Sequence, residues 1–256
     1  MWNSWQTDAY SGMIAETIMI PGYQGDPIHA YYSRPIGQGP FPGIVLIPHI
    51  PGWDEFLRET ARRFTEHGYR VICPNIYERF GHDTPPVISK RAMDAGICPD
   101  ETVMGDTRAA LAWLKGDSMQ SNGKTGVIGM CSGGRHTFLA ACTIDGFDAA
   151  VDCWGGGVSM RPEELSPSRP VAPIDYAADL KCPLLGIFGN EDHMPTPEQV
   201  DELEETLKKY GKDYTFYRYD GAGHGIWYYD RPMYRQAQAM DSWEKCMAFF
   251  DSHLKP

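Results

Sequence analysis

TGVIGMCSGG, residues 125–134, runs from an apolar, strand-like segment straight into a cluster of small residues with a cysteine at the corner. Gly129, Cys131 and Gly133 form the pattern G-x-C-x-G. That pattern marks a nucleophile elbow, a strand-to-helix turn so sharp that its central residue is strained and glycines relieve crowding on either side. The following SGGRHTFLAAC (132–142) reads as a helix, so Cys131 stands at a helix N-terminus. The partial positive charge there favours thiolate over thiol, and the next backbone N–H can face a developing oxyanion. Alone, the pattern has a plainer reading as a small buried side chain in a glycine-rich turn. Its surroundings decide.

Strand-like and helix-like segments alternate in both directions from the elbow. ETIMI (16–20) and PIHAYYS (27–33) predict two short strands around the turn residues PGYQGDP, and GIVLIP (43–48) predicts a buried one. DEFLRETARRFTEH (54–67) is a helix with Asp54 as its N-cap and Gly68 as its stop, followed by the strand YRVICP. Downstream come a helix over 100–115 with Val103, Leu111 and Leu114 facing a core, the strands FDAAVDCW and PLLGIFG, the helix PEQVDELEETLKKYG, the strand DYTFYRYD and a last helix over about 232–252. Such alternation predicts a mainly parallel sheet with helices on both faces, in one domain spanning 1–256. The proline-rich stretch 155–180 has no clean period and reads as a cap or pocket loop over the sheet.

Bulk composition narrows the function. The formal charge of -11 opposes nucleic acid and anionic membrane as partners, and no stretch approaches the roughly 20 apolar residues of a membrane span. MWNSWQTDAY has neither a basic start nor an apolar core, so a cytoplasmic protein is expected. Seven cysteines are scattered without a CxxC pair, which suits reduced core residues better than a disulfide framework or a zinc site. SNGKT (121–125) resembles the end of a P-loop, but Ser118 occupies the required glycine position and the segment precedes a strand. The histidines at 29, 67, 82, 136, 193 and 253 show no paired ligand spacing, so no metal is expected, and His193 reads as a loop residue.

Two partners for Cys131 follow predicted strands. GNEDHMP (189–195) offers Asp192 and DGAGHG (220–225) offers His224, in the chain order nucleophile, acid, base of α/β-hydrolases. Catalytic groups of open α/β sheets gather at the C-terminal ends of the strands, so the three can converge despite their separation. His224 would then take the thiol proton and later help water attack, with Asp192 orienting the imidazole.

FLRET, GYRVICPNIY, SNGKTGVIGMCSGG, GNEDHMP and GAGHG together resemble the dienelactone hydrolase family of the α/β-hydrolase superfamily, across nearly the whole chain. The resemblance implies an α/β-hydrolase fold, no cofactor and a Cys-Asp-His triad at Cys131, Asp192 and His224. It also implies an oxyanion hole from the backbone N–H groups of Ser132 and Ile50, each donor stabilising the transition state by about 3 kcal/mol.

Two positions depart from the family pattern. Where the resemblance leads one to expect a glutamate that helps switch the cysteine on, this chain has His49, which either tunes the thiolate or lines the pocket. Where it leads one to expect a substrate-holding arginine, four residues after the base, stands Tyr228, with Arg231 three residues on. Arg79 and Arg91 remain as cations for a substrate anion, although Arg91 reads more simply as a surface residue. Trp53, Tyr77, Trp154, Trp227 and Tyr228 fall in segments near the catalytic edge and predict an aromatic pocket for a larger or more apolar ester or lactone. Trp113 and Trp243, on helices, read as packing residues.

Two functions fit these residues: a cysteine hydrolase of a lactone or carboxylic ester, and a non-catalytic binder of a small ligand on the same fold. The oligomeric state is open between a monomer and a small homo-oligomer.

Overall fold

A sheet of eight strands, in the order β1-β2-β4-β3-β5-β6-β7-β8, organises the computed structural model, which describes residues 12–255. The strands are β1 (Met13–Pro21), β2 (Pro27–Pro35), β3 (Phe41–Ile47), β4 (Arg70–Pro74), β5 (Ser121–Met130), β6 (Ala149–Cys153), β7 (Leu184–Gly189) and β8 (Tyr214–Tyr219). β1 and β2 run antiparallel, and β2 meets β4 antiparallel; from β4 to β8 every pairing is parallel. β3, β4, β6 and β7 are buried along their whole length, as expected of strands covered on both faces. Their continuous apolar runs follow from that.

Six helices cover the sheet: α1 (Glu55–Glu66), α2 (Pro85–Asp94), α3 (Asp100–Gly116), α4 (Ser132–Thr143), α5 (Pro197–Lys209) and α6 (Gln236–Leu254). Phe56, Leu57, Ala61 and Phe64 of α1 pack with Trp243, Cys246 and Phe250 of α6 in one buried cluster. Val103, Leu111 and Leu114 of α3, Phe138 of α4 and Leu203 of α5 belong to another, with Trp113 packed against it. Asp54 caps α1 as expected, its carboxylate accepting from the Leu57 N–H at 3.1 Å. The alternation read from the sequence thus yields the expected α/β-hydrolase architecture, and Trp113 and Trp243 are packing residues.

Some boundaries differ. α2 has no counterpart in the sequence reading: two prolines open it, where missing N–H groups cost nothing, and only Ile88, Ser89 and Ala92 are buried, too few to mark a period. SNGKT lies inside β5, whose first residues extend the buried TGVIG run outward. α6 begins at Gln236, after a turn containing Pro232. Residues 155–180 hold two short 3-10 turns, Pro162–Glu164 and Pro173–Asp179. Among the described residues, no helix is long and apolar enough to cross a membrane.

Next to the elbow, α4 is fastened to α3 by a buried charge cluster. Arg135 donates to both carboxylate oxygens of Asp100, at 2.5 and 2.9 Å, and His136 Nε2 meets the same carboxylate at 3.2 Å. Burial pushes the Asp100 carboxyl up, but His136 and Arg135 outweigh it and hold the group at about 2. Removing one partner from such a cluster leaves an unpaired buried cation, which costs about 3–5 kcal/mol. Asp100→Ala is therefore expected to destabilise the protein by about that amount in urea unfolding at pH 7. The folded pKa is depressed, so the wild-type advantage is present above the ordinary carboxylate value and fades as pH falls toward about 2. A loss below about 1 kcal/mol at pH 7 would show that the cluster contributes little.

Candidate active site

The C-terminal ends of the parallel strands lie on one edge of the sheet, and three of them lead directly into the residues of interest. β5 ends at Met130 before Cys131, β7 at Gly189 before Asp192, and β8 at Tyr219 before His224. Cys131 has φ 57° and ψ -123°, a backbone conformation that non-glycine residues rarely adopt. Its N–H donates to the Cys153 carbonyl at 3.0 Å, which pins the elbow to the end of β6. The glycines have no room for a side chain: a Cβ on Gly129 would lie 2.3 Å from the Gly133 backbone, and one on Gly133 would lie 2.4 Å from the Ile47 carbonyl oxygen. This is the strand–turn–helix setting that the G-x-C-x-G pattern predicts.

The structure brings the three predicted triad residues together. His224 Nδ1 lies 2.9 Å from Asp192 Oδ2, and the other carboxylate oxygen accepts from the Met194 N–H at 2.9 Å. Asp192 is buried while His224 keeps a third of its side chain exposed, so the carboxylate is fixed and the imidazole faces the opening. The Cys131 thiol also acts on the imidazole and favours its protonated form. Burial pushes the imidazole down, but the Asp192 and Cys131 contacts outweigh it and raise the group to about 10. Cys131 is half-buried, whereas the other six cysteines are buried. Burial pushes their thiols up, to about 12 for Cys98 and Cys182.

The two predicted backbone donors sit on adjoining segments, since Gly133 at the start of α4 packs against the Ile47 and Pro48 carbonyls at the end of β3. Ser132 opens α4, so its N–H is one of the helix's first-turn donors without an intrahelical acceptor. Ile50 sits in a tight turn closed by the Gly52 N–H donating to the His49 carbonyl at 2.8 Å, and its own N–H has no acceptor among the described residues. The turn needs glycine at 52, where φ is 79° and a Cβ would come within 2.9 Å of the Tyr77 ring.

His49 and Tyr228, the two departures from the family pattern, touch each other. His49 Nδ1 lies 2.7 Å from the Tyr228 hydroxyl, and its Nε2 lies 3.0 Å from Asp54 Oδ2. Arg231 completes the chain, 3.4 Å from the same Asp54 oxygen and 4.7 Å above the Tyr228 ring. Burial pushes the Asp54 carboxyl up, but His49, the Leu57 N–H and Arg231 together hold it below the usual range. An ionised carboxylate only accepts, so a proton on Nε2 suits the nearby Asp54, and Nδ1 would then accept from the Tyr228 hydroxyl. Nδ1 is therefore occupied by Tyr228, whereas Nε2 is close to Asp54 without the alignment of a full hydrogen bond. The sequence marks both substitutions but carries no sign that they meet, 179 positions apart.

The remaining predicted residues divide. Arg79 is held by Asp106 and Asp26, and Arg91 by Asp83 at 2.8 Å, so both guanidiniums belong to structural ion pairs and not to a waiting anion site. Trp53 and Tyr77 line a cavity of about 210 Å³ together with Pro51, Gly52, His29 and Glu78. Trp154 is fully buried, and Trp227 donates from its buried ring N–H to Ser242 at 2.8 Å and packs edge-on against Trp243. Trp154 and Trp227 fill the core beneath Tyr228, and the cavity lined by Trp53 and Tyr77 has none of Cys131, Asp192 and His224 in its wall. His193 is an exposed loop residue. Among the described residues, no group of three or more His, Cys, Asp or Glu side chains could hold a metal ion.

Comparisons with known proteins identify the family of the chain. A sequence model of the dienelactone hydrolase family matches residues 28–254. A protein of Methylorubrum extorquens, provisionally named as a carboxymethylenebutenolidase, is 34% identical over 246 residues, which cover 95% of this chain and 82% of that protein. A similarly named protein of Escherichia coli is 31% identical over 247 residues, 94% of this chain and 88% of its own length. The crystal structure of a provisionally named dienelactone hydrolase from Klebsiella pneumoniae superposes with a TM-score of 0.83 at 30% identity, covering 94% of this chain and 99% of that one. With the family pattern spanning all but the first strand and the fold shared end to end, the chain belongs to the dienelactone hydrolase family and is a hydrolase of carboxylic ester or lactone bonds.

Proposed function

We propose that the protein hydrolyses a small ester or lactone through a Cys131 acyl-thioester, with His224 as acid and base and Asp192 as the group that orients it. The observation that carries this reading is the His224 imidazole held 2.9 Å from the carboxylate of Asp192, which follows the strand next but one to the elbow that carries Cys131 at φ 57°. The sulfur attacks the carbonyl carbon, and the displaced electron pair collects on the carbonyl oxygen, facing the Ile50 and Ser132 N–H groups. Collapse of that intermediate breaks the C–O bond, and imidazolium gives its proton to the leaving oxygen. Water then attacks the thioester, His224 takes its proton, and the second intermediate releases the acid and restores the sulfur. Water is consumed once per bond cleaved, and the cysteine ends as it began.

Burial of the other six thiols supplies the test. Substoichiometric iodoacetamide is expected to label Cys131 first, with hydrolysis of a chromogenic ester falling in proportion to the Cys131 modified, as peptide mapping would quantify. Hydrolysis that survives complete alkylation of Cys131 would remove it as the nucleophile and favour a different reacting group.

A further inference from the structure

The turn that presents the Ile50 N–H is held from outside by a residue to which no motif points. Ser89, buried on α2, donates its hydroxyl to the Ile50 carbonyl at 2.8 Å, across 39 positions of chain. Hydroxyls on other helices turn inward: Thr60, Thr65, Thr143, Thr206 and Ser242 each donate to the carbonyl four residues back in their own helix. Ser89 instead reaches a neighbouring loop.

Both peptides that flank Ile50 are thereby tied. The one before it carries the His49 carbonyl, which accepts from the Gly52 N–H at 2.8 Å. A trans peptide is planar with C=O and N–H on opposite sides, so a carbonyl turned into the turn sends the Ile50 N–H out of it. The peptide after Ile50 leads into Pro51 and has no N–H, which leaves its carbonyl as the group that can be fastened, and Ser89 takes it. With both peptide planes held, neither φ nor ψ of Ile50 is free to swing, and the direction of its N–H is set.

The surroundings make that direction matter. A Cβ on Gly133, two residues past Cys131, would lie 2.4 Å from the Ile47 carbonyl oxygen and 3.0 Å from that of Pro48, so the elbow rests on the chain that enters the turn. Farther along, Pro51 and Gly52 border the cavity of about 210 Å³ whose wall also includes Pro85 and Ile88 of α2. A turn beside open space lacks packing on that flank, and its hydrogen bonds carry the constraint instead.

We propose that Ser89 is a positioning residue for the hydrolysis: its hydroxyl clamps the Ile50 carbonyl and so aims the Ile50 N–H at the oxyanion. This rests on the hydrolase reading above for the reaction and adds a residue from outside the strand ends. Ser89 makes no bond to substrate, and its effect is confined to the steps in which negative charge collects on the carbonyl oxygen.

The test compares Ser89→Ala and Ser89→Thr with wild type on 4-nitrophenyl butyrate. The alanine variant is expected to lose at least about tenfold in kcat with KM within about twofold, because a misaimed donor weakens binding of the transition state and not of the ester. Threonine keeps the hydroxyl and is expected to restore kcat to within about threefold of wild type. Alkylation of Cys131 by iodoacetamide displaces iodide at a saturated carbon and forms no tetrahedral oxyanion, so its rate should hold within about twofold in the alanine variant. An unchanged kcat, an equal fall in alkylation, or a threonine variant as slow as alanine overturns the proposal. A second arm needs no turnover: in Cys131→Ala protein, the residual dipolar coupling of the Ile50 amide reads the direction of its N–H. Adding Ser89→Ala is expected to change that coupling while those along β5 stay as they are; an unchanged Ile50 coupling overturns the proposal. A wild type that hydrolyses no ester, with the Ile50 coupling still dependent on Ser89, supports the clamp and counts against the hydrolase reading alone. If Ser89→Ala does not fold, Ser89→Cys, close in size and a weak donor, is read by the same outcomes.

Discussion

Cys131→Ala is expected to lower kcat/KM for ester or lactone hydrolysis by about four orders of magnitude while leaving the fold in place. Removing a nucleophile removes the covalent route itself, and what survives comes from the backbone donors and binding alone. The triad acts as one unit, so adding His224→Ala to Cys131→Ala should cost little more. The fold should survive because the elbow is held by Gly129, Gly133 and the Cys131 N–H bond to Cys153, none of which uses the sulfur. Steady-state rates and circular dichroism on the same preparations check both halves. Activity within tenfold of wild type in a folded variant would sink the cysteine mechanism.

Asp192→Asn is expected to cost about three to four orders of magnitude in kcat, although it exchanges a single oxygen for an NH2 group and leaves the shape of the side chain intact. The carboxylate does two things here: it holds His224 by Nδ1 at 2.9 Å and it stabilises the protonated ring. An amide can present an N–H to Nδ1 and so hold the wrong tautomer. His224 should titrate at a clearly lower pH in the variant by NMR, since one of the two contacts that raise it to about 10 is gone. The effect on stability has a definite sign. A raised imidazole stabilises the folded state fully below the ordinary histidine value and loses that contribution as pH climbs through about 10. Wild type should therefore exceed the variant most at mildly acidic pH, with the gap narrowing toward pH 10. An unchanged His224 titration would show that Asp192 does not support the ring.

Much of this was legible before any coordinates, and for a physical reason. Strand runs such as GIVLI and LLGIFG are buried on both faces, so their apolarity is continuous and needs no context to read. The nearness of Asp192 to His224 was legible because parallel strands put the residues after β5, β7 and β8 on one edge, which turns chain order into proximity. α2 was not legible, since a helix with one narrow buried stripe barely modulates the sequence. Nor were the fates of side chains that depend on partners. Nothing in GHGIWYYDR distinguishes Trp227, bonded to Ser242 in the core, from Tyr228, bonded to His49. Arg79 and Arg91 read as cations near the right strands, but the aspartates that hold them lie elsewhere in the chain. Whether an aspartate waits beside a given arginine is a property of three dimensions.

The contact between His49 and Tyr228 bears on how such a site can change over generations. Either residue replaced alone leaves the other's polar atom stranded where no water reaches, so a lineage altering one position passes through a handicapped intermediate. The two loci are expected to drift as a linked couple, each setting which alleles the other can tolerate.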